Sequence, residues 1–401
     1  MLKKALGIAG ALLLSGVAAL AQDDGPIRIG LVLAKTGPFA ESGSNEANGA
    51  QLALQQAGGK VMGHRAEVVW LDEPSPQSAQ QNFSRLVEEY KVSAIIGGSN
   101  SASSLSMESV ATRTKTPLLV VAGAAREITG KECNRYTFRT QLTIPVGSRA
   151  IAPIVLEKGK KWYFLSAAYA LGQDTYASMS ALLKAAGGQE VGRDDVPVNT
   201  SDYSSFLLKI RTAKPDAVIV GIGGVDFNNL LKQWNEFGFK DKIAIAAPVV
   251  TDAAMWAVGP SAAVGIYAKQ WHYSDPSNSA DEDEFVKLWT ARVKRPPPSE
   301  AWQGWLTMRM LLAAIEQSKA TDGPSIVKAL ESLRLQAGGL PIYYRSWDHQ
   351  LIRGVKVLEG RAPEGDQWDM MKLLRTVPQS AADLDPMYGS QAEIGCLLGE
   401  L

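Results

Sequence analysis

The chain has 401 residues, 46% hydrophobic, 7% aromatic and 20% charged, an ordinary globular balance that excludes collagen-like, low-complexity and disordered classes. Lysine plus arginine and aspartate plus glutamate each number 41, so the basic footprint that nucleic-acid binding needs is missing at whole-chain level. The two cysteines, Cys133 and Cys396, exclude a disulfide-dense scaffold and a zinc site made of cysteine alone.

Residues 1–21 carry the three parts of an export signal. Lys3 and Lys4 come first, an apolar stretch over 5–17 follows, and Ala19-Leu20-Ala21 gives the small-x-small cleavage pattern. A membrane anchor is the competing reading, but the run falls short of the about 20 apolar residues a span requires. Cleavage after Ala21 makes Gln22 the first residue and leaves 39 positive against 41 negative side chains, a formal charge of −2. No cysteine follows the apolar stretch, and no later run resembles a membrane helix, so no membrane insertion is expected after cleavage. Export into an oxidising compartment, with an even cysteine count, predicts a Cys133–Cys396 bridge over two buried free thiols.

Beyond the leader, apolar β-rich runs alternate with helix-patterned stretches. Residues 27–33 (IRIGLVL) read as a buried strand and 47–57 as a helix, followed by strand 66–71 and helix 78–90, with Phe83, Leu86 and Val87 at helical spacing. Strand 94–96, helix 103–113 and strand 117–121 continue the series. The pattern restarts with helix 146–158, strand 162–166, helix 174–186, helix 204–213, strand 217–221, helix 227–237 and strand 243–247. A charged helix over 283–293, a triple-proline turn at 296–298 and a helix over 301–317 follow, and short strands with a loop-rich tail occupy 343–401. Strands this apolar, separated by helices, imply parallel sheets covered on both faces, in two α/β units.

Catalytic motifs are missing. His64, His272 and His349 share no ligand spacing and read as scattered loop residues; HExxH, CxxC, GxSxG and P-loop patterns do not occur. Gly221-Ile222-Gly223-Gly224 follows a strand and opens a helix but lacks the last glycine of a dinucleotide fingerprint. Those glycines still require a close backbone approach. Asp226, just beyond, reads equally as a helix cap or a ligand contact.

Several strand ends run into small, polar turns ahead of helices: 36–43 (TGPFAESG), 97–101 (GGSNS) and 122–125 (AGAA). Helix N-termini there present free N–H groups and a positive dipole end, suited to a carboxylate. Ligands of open α/β sheets sit outside the carboxyl ends of the strands. Each turn alone reads as an ordinary βα connection; together they favour a binding cleft.

From about residue 26 to the end, the chain resembles the exported solute-binding proteins of ABC transporters, in the leucine/isoleucine/valine-binding family. The likeness rests on IRIGLVLAKTGPFAESG with NGAQLALQQAGG, AIIGGSNSASSLSM, PLLVVAGAAREITG, FLSAAYALGQD, NTSDYSSFLLKIRTAKPDAVIVGIGG, EFGF and the PPPSEAWQGW helix. It is closest to the subgroup with a cysteine after a TGK-like segment and another near the C-terminus, here Cys133 and Cys396. The resemblance implies an α/β fold of two doubly wound, Rossmann-like lobes joined by three hinge strands, the type I periplasmic fold. It places lobe 1 at 22–142 plus 275–345 and lobe 2 at 143–274 plus 346–401. It also implies a periplasmic location, a small organic acid or amino acid as ligand, permease and ATPase subunits as partners, and neither cofactor, metal nor catalytic residue.

In the site it implies, Ser101, beside Asn100, receives the ligand carboxylate. Ser42, Ala122, Ala124 and Tyr169, or its neighbour Leu171, line the cleft, and Trp302 supplies an aromatic wall. Amino-acid binders of the family place a hydroxyl where Ala125 falls and an acid where Val249 falls, leaving Asp226 as the nearby anion. An unpaired ammonium in a closed cleft is costly, so a des-amino carboxylate is expected to bind at least about tenfold tighter than leucine. An exported sensor subunit for a receptor, and an exported α/β hydrolase, are the alternative functions.

Overall fold

The computed structural model describes residues 25–37, 39–168, 170–337 and 339–401. The expected leader and Tyr169 lie outside them. The first half-chain builds β1 (Ile27–Val32), α1 (Ala40–Gln56), β2 (Lys60–Val61), β3 (His64–Leu71), α2 (Pro76–Glu88), β4 (Ala94–Gly97), α3 (Ser101–Thr114), β5 (Leu118–Val120) and β6 (Thr137–Arg139). These strands form one sheet in the order β2-β3-β1-β4-β5-β6, parallel except for the short β2. Ile29, Leu31, Val32, Ile95 and Ile96 are fully buried in it, as expected of a parallel sheet with helices on both faces.

The second sheet begins after the chain leaves β6. It draws on α4 (Ile144–Lys158), β7 (Lys161–Ala167), α5 (Ala170–Ala185), β8 (Gln189–Val196), α6 (Ser204–Ala213), β9 (Ala217–Gly221), α7 (Gly224–Glu236), β10 (Ala244–Ala247), α8 (Asp252–Val258) and β11 (Ile266–Lys269). The chain then returns to the first lobe as α9 (Ala280–Val293), α10 (Ser299–Ser318), α11 (Gly323–Ser332), β12 (Leu335–Ala337), β13 (Leu340–Tyr344) and β14 (Leu351–Ile352), the last three a small antiparallel sheet. A final excursion adds β15 (Val355–Gly360) and β16 (Met371–Val377) antiparallel to the second sheet, whose order is β16-β15-β11-β10-β9-β7-β8. Helices α12 (Leu384–Tyr388) and α13 (Gln391–Ile394) end the chain. Among the described residues no helix is long and apolar enough to cross a membrane.

Two α/β lobes result, and the chain passes between them after β6, after β11 and between β14 and β15. Hydrogen bonds lace these crossings together: Gln270 Nε2 to the Thr140 carbonyl at 2.7 Å, Gln350 Nε2 to the Gln141 carbonyl at 3.0 Å, and the Arg139 amide to the His349 carbonyl at 3.0 Å. The tail then docks back on the first lobe through the Cys133–Cys396 disulfide, the pairing expected from the cysteine count.

Helices α1 and α10 cross at two glycines. A Cβ on Gly49 would stand 1.9 Å from the Ala301 carbonyl oxygen, and one on Gly304 would stand 1.9 Å from that of Glu46. This contact fixes the N-terminal turn of α10, which carries part of the site. Gly221 explains the close approach read from its loop: a Cβ there would lie 2.8 Å from the Cα of Gly172 in α5. His272 and His349 lie in loops as expected, although buried, His349 stacked on Phe138 at 3.9 Å and bonded to Glu331 at 2.9 Å and His272 beside Asp369, whereas His64 opens β3 instead of lying in a loop.

Candidate functional site in the interlobe cleft

The carboxylate-binding turn expected from the sequence follows β4 in the first lobe. Gly98 takes φ +81°, a conformation natural to glycine, and Asn100 caps α3 by accepting from the Ser103 amide at 3.0 Å. The amides of Gly98 and Ser99 do not face an empty space. Both donate to Glu73 Oε2 at 3.1 Å, and Asn100 Nδ2 donates to Oε1 of the same carboxylate at 3.0 Å. Burial pushes Glu73 up to about 7 against these bonds. Ser99 Oγ donates to Glu46, which burial, with Glu73 and Glu300 nearby, pushes up to about 8.

Ser101 stands one step further on. Its Oγ accepts from the Ala124 and Ala125 amides, each at 3.1 Å, which leaves its own proton to donate. Ser101 and Ala102 open α3, where amides have no carbonyl within the helix to bond. The turn therefore keeps a hydroxyl donor and a helix N-terminus while its other amides serve Glu73. The Ala122 amide bonds the Gly98 carbonyl at 3.2 Å, so the amides of Ala122 and Ala124 are both engaged inside the lobe. Ser42 lies half-buried in the first turn of α1.

A cavity of about 210 Å³ lies between the lobes. The second lobe contributes the β9–α7 turn (Ile222 to Gly224), Phe227, the segment after β10 with Val249 and Thr251, and Lys269 at the end of β11. The hinge contributes Gln141 and Gln270. The first lobe contributes Ser299, Glu300, Trp302 and Gln303 from α10. Trp302 is buried, stacks on Trp271 at 5.8 Å and donates its indole N–H to Glu282 at 3.1 Å. Leu171 lines the same space. Asp226 does not: its carboxylate accepts from the Asn199 amide at 2.8 Å and ties α7 to the loop after β8.

Behind the cavity lies a buried charge cluster. Lys269 Nζ pairs with Asp252 Oδ1, while Asp252 Oδ2 accepts from the amide and the hydroxyl of Ser299, each at 2.7 Å. An acid of the second lobe thus caps a helix of the first. Burial alone would raise Asp252, but Lys269, His272 and Ser299 outweigh it and hold the carboxyl below its usual range. Glu300 shows the opposite balance. Burial and the charge of Asp252 push it up to about 7, with Lys269 only partly opposing.

The structure thus joins Asn100 and Ser101, in the turn after β4, to Ala122 and Ala124, in the loop after β5, and places Trp302 in the cavity wall, which the other four do not line, with Asp226 turned to another loop. The residues missed in the sequence are Gln141, Lys269, Gln270, Glu300 and Gln303. Lys269 and Gln270 carried a usable signal, since they end a parallel strand where ligands sit.

A cavity between two parallel-sheet lobes, lined from both lobes and from the hinge between them, is the architecture of a bilobal binding protein. Residues 26–366 match the family model described as periplasmic binding protein, and the chain belongs to that family. It is similar to Leu/Ile/Val-binding protein homolog 7 of Brucella suis biovar 1, with 25% identity over 95% of this chain and 98% of the relative. Among solved structures it resembles an amino acid ABC transporter substrate-binding protein from Pseudomonas fluorescens Pf-5, with TM-score 0.85, 21% identity, and 93% of this chain and 99% of that one covered. It also resembles a solute-binding protein of an ABC transporter from Rhodopseudomonas palustris BisB5 in complex with 3,4-dihydroxybenzoic acid, with TM-score 0.76, 25% identity, and 85% and 94% covered.

Proposed function

We propose that this protein is the extracytoplasmic solute-binding subunit of an ABC importer. It captures a small carboxylate-bearing molecule, an organic acid or a branched-chain-type amino acid, and delivers it to a permease energised by ATPase subunits. The observation that carries this reading is the cavity, whose walls come from both lobes and from the hinge between them. A ligand held there contacts both lobes only when they are closed, so its binding energy shifts the population toward the closed form.

The carboxylate goes to the first lobe, where the Ser101 hydroxyl and the first amides of α3 are the donors not already serving Glu73. Asn100 supports that turn, and Ala124 and Ala125 orient the Ser101 hydroxyl through their amides. Trp302 forms the apolar wall. The lobe limits given above, and export with cleavage after Ala21, belong to the same reading. So does action by binding without turnover, with no cofactor. The names of the relatives support the ligand class, since leucine, isoleucine, valine and 3,4-dihydroxybenzoic acid all bear a carboxylate.

A thermal-shift screen of amino acids, aromatic acids and short-chain acids tests the reading. A ligand at 100 times its Kd is expected to add about 2.7 kcal/mol of stability. A screen in which no compound moves the melting temperature, or in which a compound is turned over, would sink it.

A further inference from the structure

We infer that Glu300, with Gln270 beside it, is the specificity-determining pair of the cavity, and that it receives a cationic hydrogen-bond donor, such as an ammonium, on the ligand. This inference rests on the cavity being the ligand site.

The first argument is hydrogen-bond accounting. Glu300 and Gln270 both line the cavity and are only 7% and 5% exposed, and Glu300 Oε2 and Gln270 Oε1 are buried without a partner. On the same wall Lys269 Nζ and Ser299 Oγ donate to Asp252, Gln270 Nε2 to the Thr140 carbonyl, and Gln303 Nε2 to Gln141 Oε1, and none of these bonds reaches Glu300 Oε2 or Gln270 Oε1. A buried acceptor left empty costs free energy that a ligand donor recovers.

The second argument is charge. Lys269 and Asp252 neutralise each other at contact, and His272 stands 3.9 Å from Asp252. Glu300 forms no ion pair among the described residues, and its remaining charged neighbours, Asp252, Glu41 and Glu46, are acids apart from Lys269. An ionised Glu300 thus leaves the cluster one positive charge short. An ammonium supplies that charge and three donors at once; a hydroxyl supplies one donor and no charge.

This reverses the expectation drawn from Val249 and Ala125. The anion sought after β10 comes instead from the first turn of α10, in the other lobe, while Val249 supplies apolar wall opposite. A substitution in one lobe is complemented from the other, which an alignment by strand cannot register.

The test is calorimetric titration of pairs differing only in the ammonium: leucine with 4-methylpentanoate, and 5-aminopentanoate with pentanoate. At least one amine is expected to bind tenfold or more tighter than its partner. In Glu300→Gln, which keeps the side chain's shape and removes its charge, that preference is expected to fall by roughly 10- to 150-fold. The melting temperature of each ligand-free variant, and the affinity for the des-amino acid, serve as folding controls. Tighter binding of the des-amino acids, or an ammonium preference that survives Glu300→Gln, overturns the inference and leaves the proposed function standing. Absence of binding by all four compounds, and by every compound of the wider screen, overturns both.

Discussion

The contact between α1 and α10 permits a quantitative test of how the first lobe holds its half of the cavity. Replacing Gly49 or Gly304 with alanine has two opposing effects. Alanine favours a helix interior over glycine by about 1 kcal/mol. Against that, the new methyl would sit 1.9 Å from a carbonyl oxygen of the facing helix, where a carbon and an oxygen ordinarily approach no closer than about 3.3 Å. The obstacle is backbone on both sides, at Ala301 and at Glu46, so no rotamer change relieves it. The helices must part by about 1 Å or more, and a radial gap of that size forfeits a quarter to a half of each dispersion contact along the seam. Overpacking of this kind costs about 1–3 kcal/mol or more. An approach of 1.9 Å to backbone belongs at the upper end of that range, so the net expectation for either variant is a loss of about 2 kcal/mol, or roughly 4–8 °C in Tm. Because α10 carries Glu300, Trp302 and Gln303 into the cavity, ligand affinity is expected to fall as well. Differential scanning calorimetry of the two variants measures the first effect. A Tm equal to or above that of the parent would refute the close crossing and the reasoning built on it.

Removing the disulfide with Cys133→Ser and Cys396→Ser opens a link across 263 residues. Chain entropy sets the loss at up to about 5 kcal/mol, read as a lower denaturant midpoint; equal midpoints would show that the bridge constrains nothing. Ser101→Ala removes the hydroxyl donor proposed for the ligand carboxylate and is expected to weaken binding by roughly 10- to 150-fold. An unchanged Kd in a titration would place the carboxylate elsewhere. Burial raises the Glu46 carboxyl from 4.5 to about 8, so the folded state holds that proton more tightly than the unfolded chain. Its contribution to stability is present in full below about pH 4.5 and is lost as pH rises through about 8. Glu46→Gln is expected to flatten the decline of stability between those limits, and an unchanged pH profile in denaturant titrations would contradict the assignment.

The alternation of strands and helices was legible because parallel strands buried on both faces are nearly continuous apolar runs, as in β1 and β9. What escaped was short or polar. β8 (QEVGRDDV) alternates charges because it is the outermost strand of its sheet and pairs only with β7. β11 spans four residues and ends in Lys269, a residue that reads as surface until Asp252 is found beside it. Helix α1 starts at Ala40, ahead of the expected 47, because its first turns are small or polar residues, Gly43 against Ala34 and Glu46 against Gly304 of α10, with no apolar stripe to announce them. The site was half legible for a related reason. Ser101 and Trp302 belong to local motifs, whereas Glu300, Gln270 and the Asp252–Lys269 pair acquire meaning only when two lobes, far apart in sequence, close on the same space. Asp226 misled because a carboxylate after a glycine turn reads the same whether it meets a ligand or the Asn199 amide.

Hydrogen exchange with and without the most stabilising compound of the screen bears most directly on the claim that ligand is held between the lobes. The account predicts concurrent slowing at the hinge around 141–142 and 268–270, in the second lobe around 222–227 and 249–254, and in the first lobe at the start of α3 around 101–103 and of α10 around 299–303. Protection confined to one lobe, or located away from these segments, would contradict it.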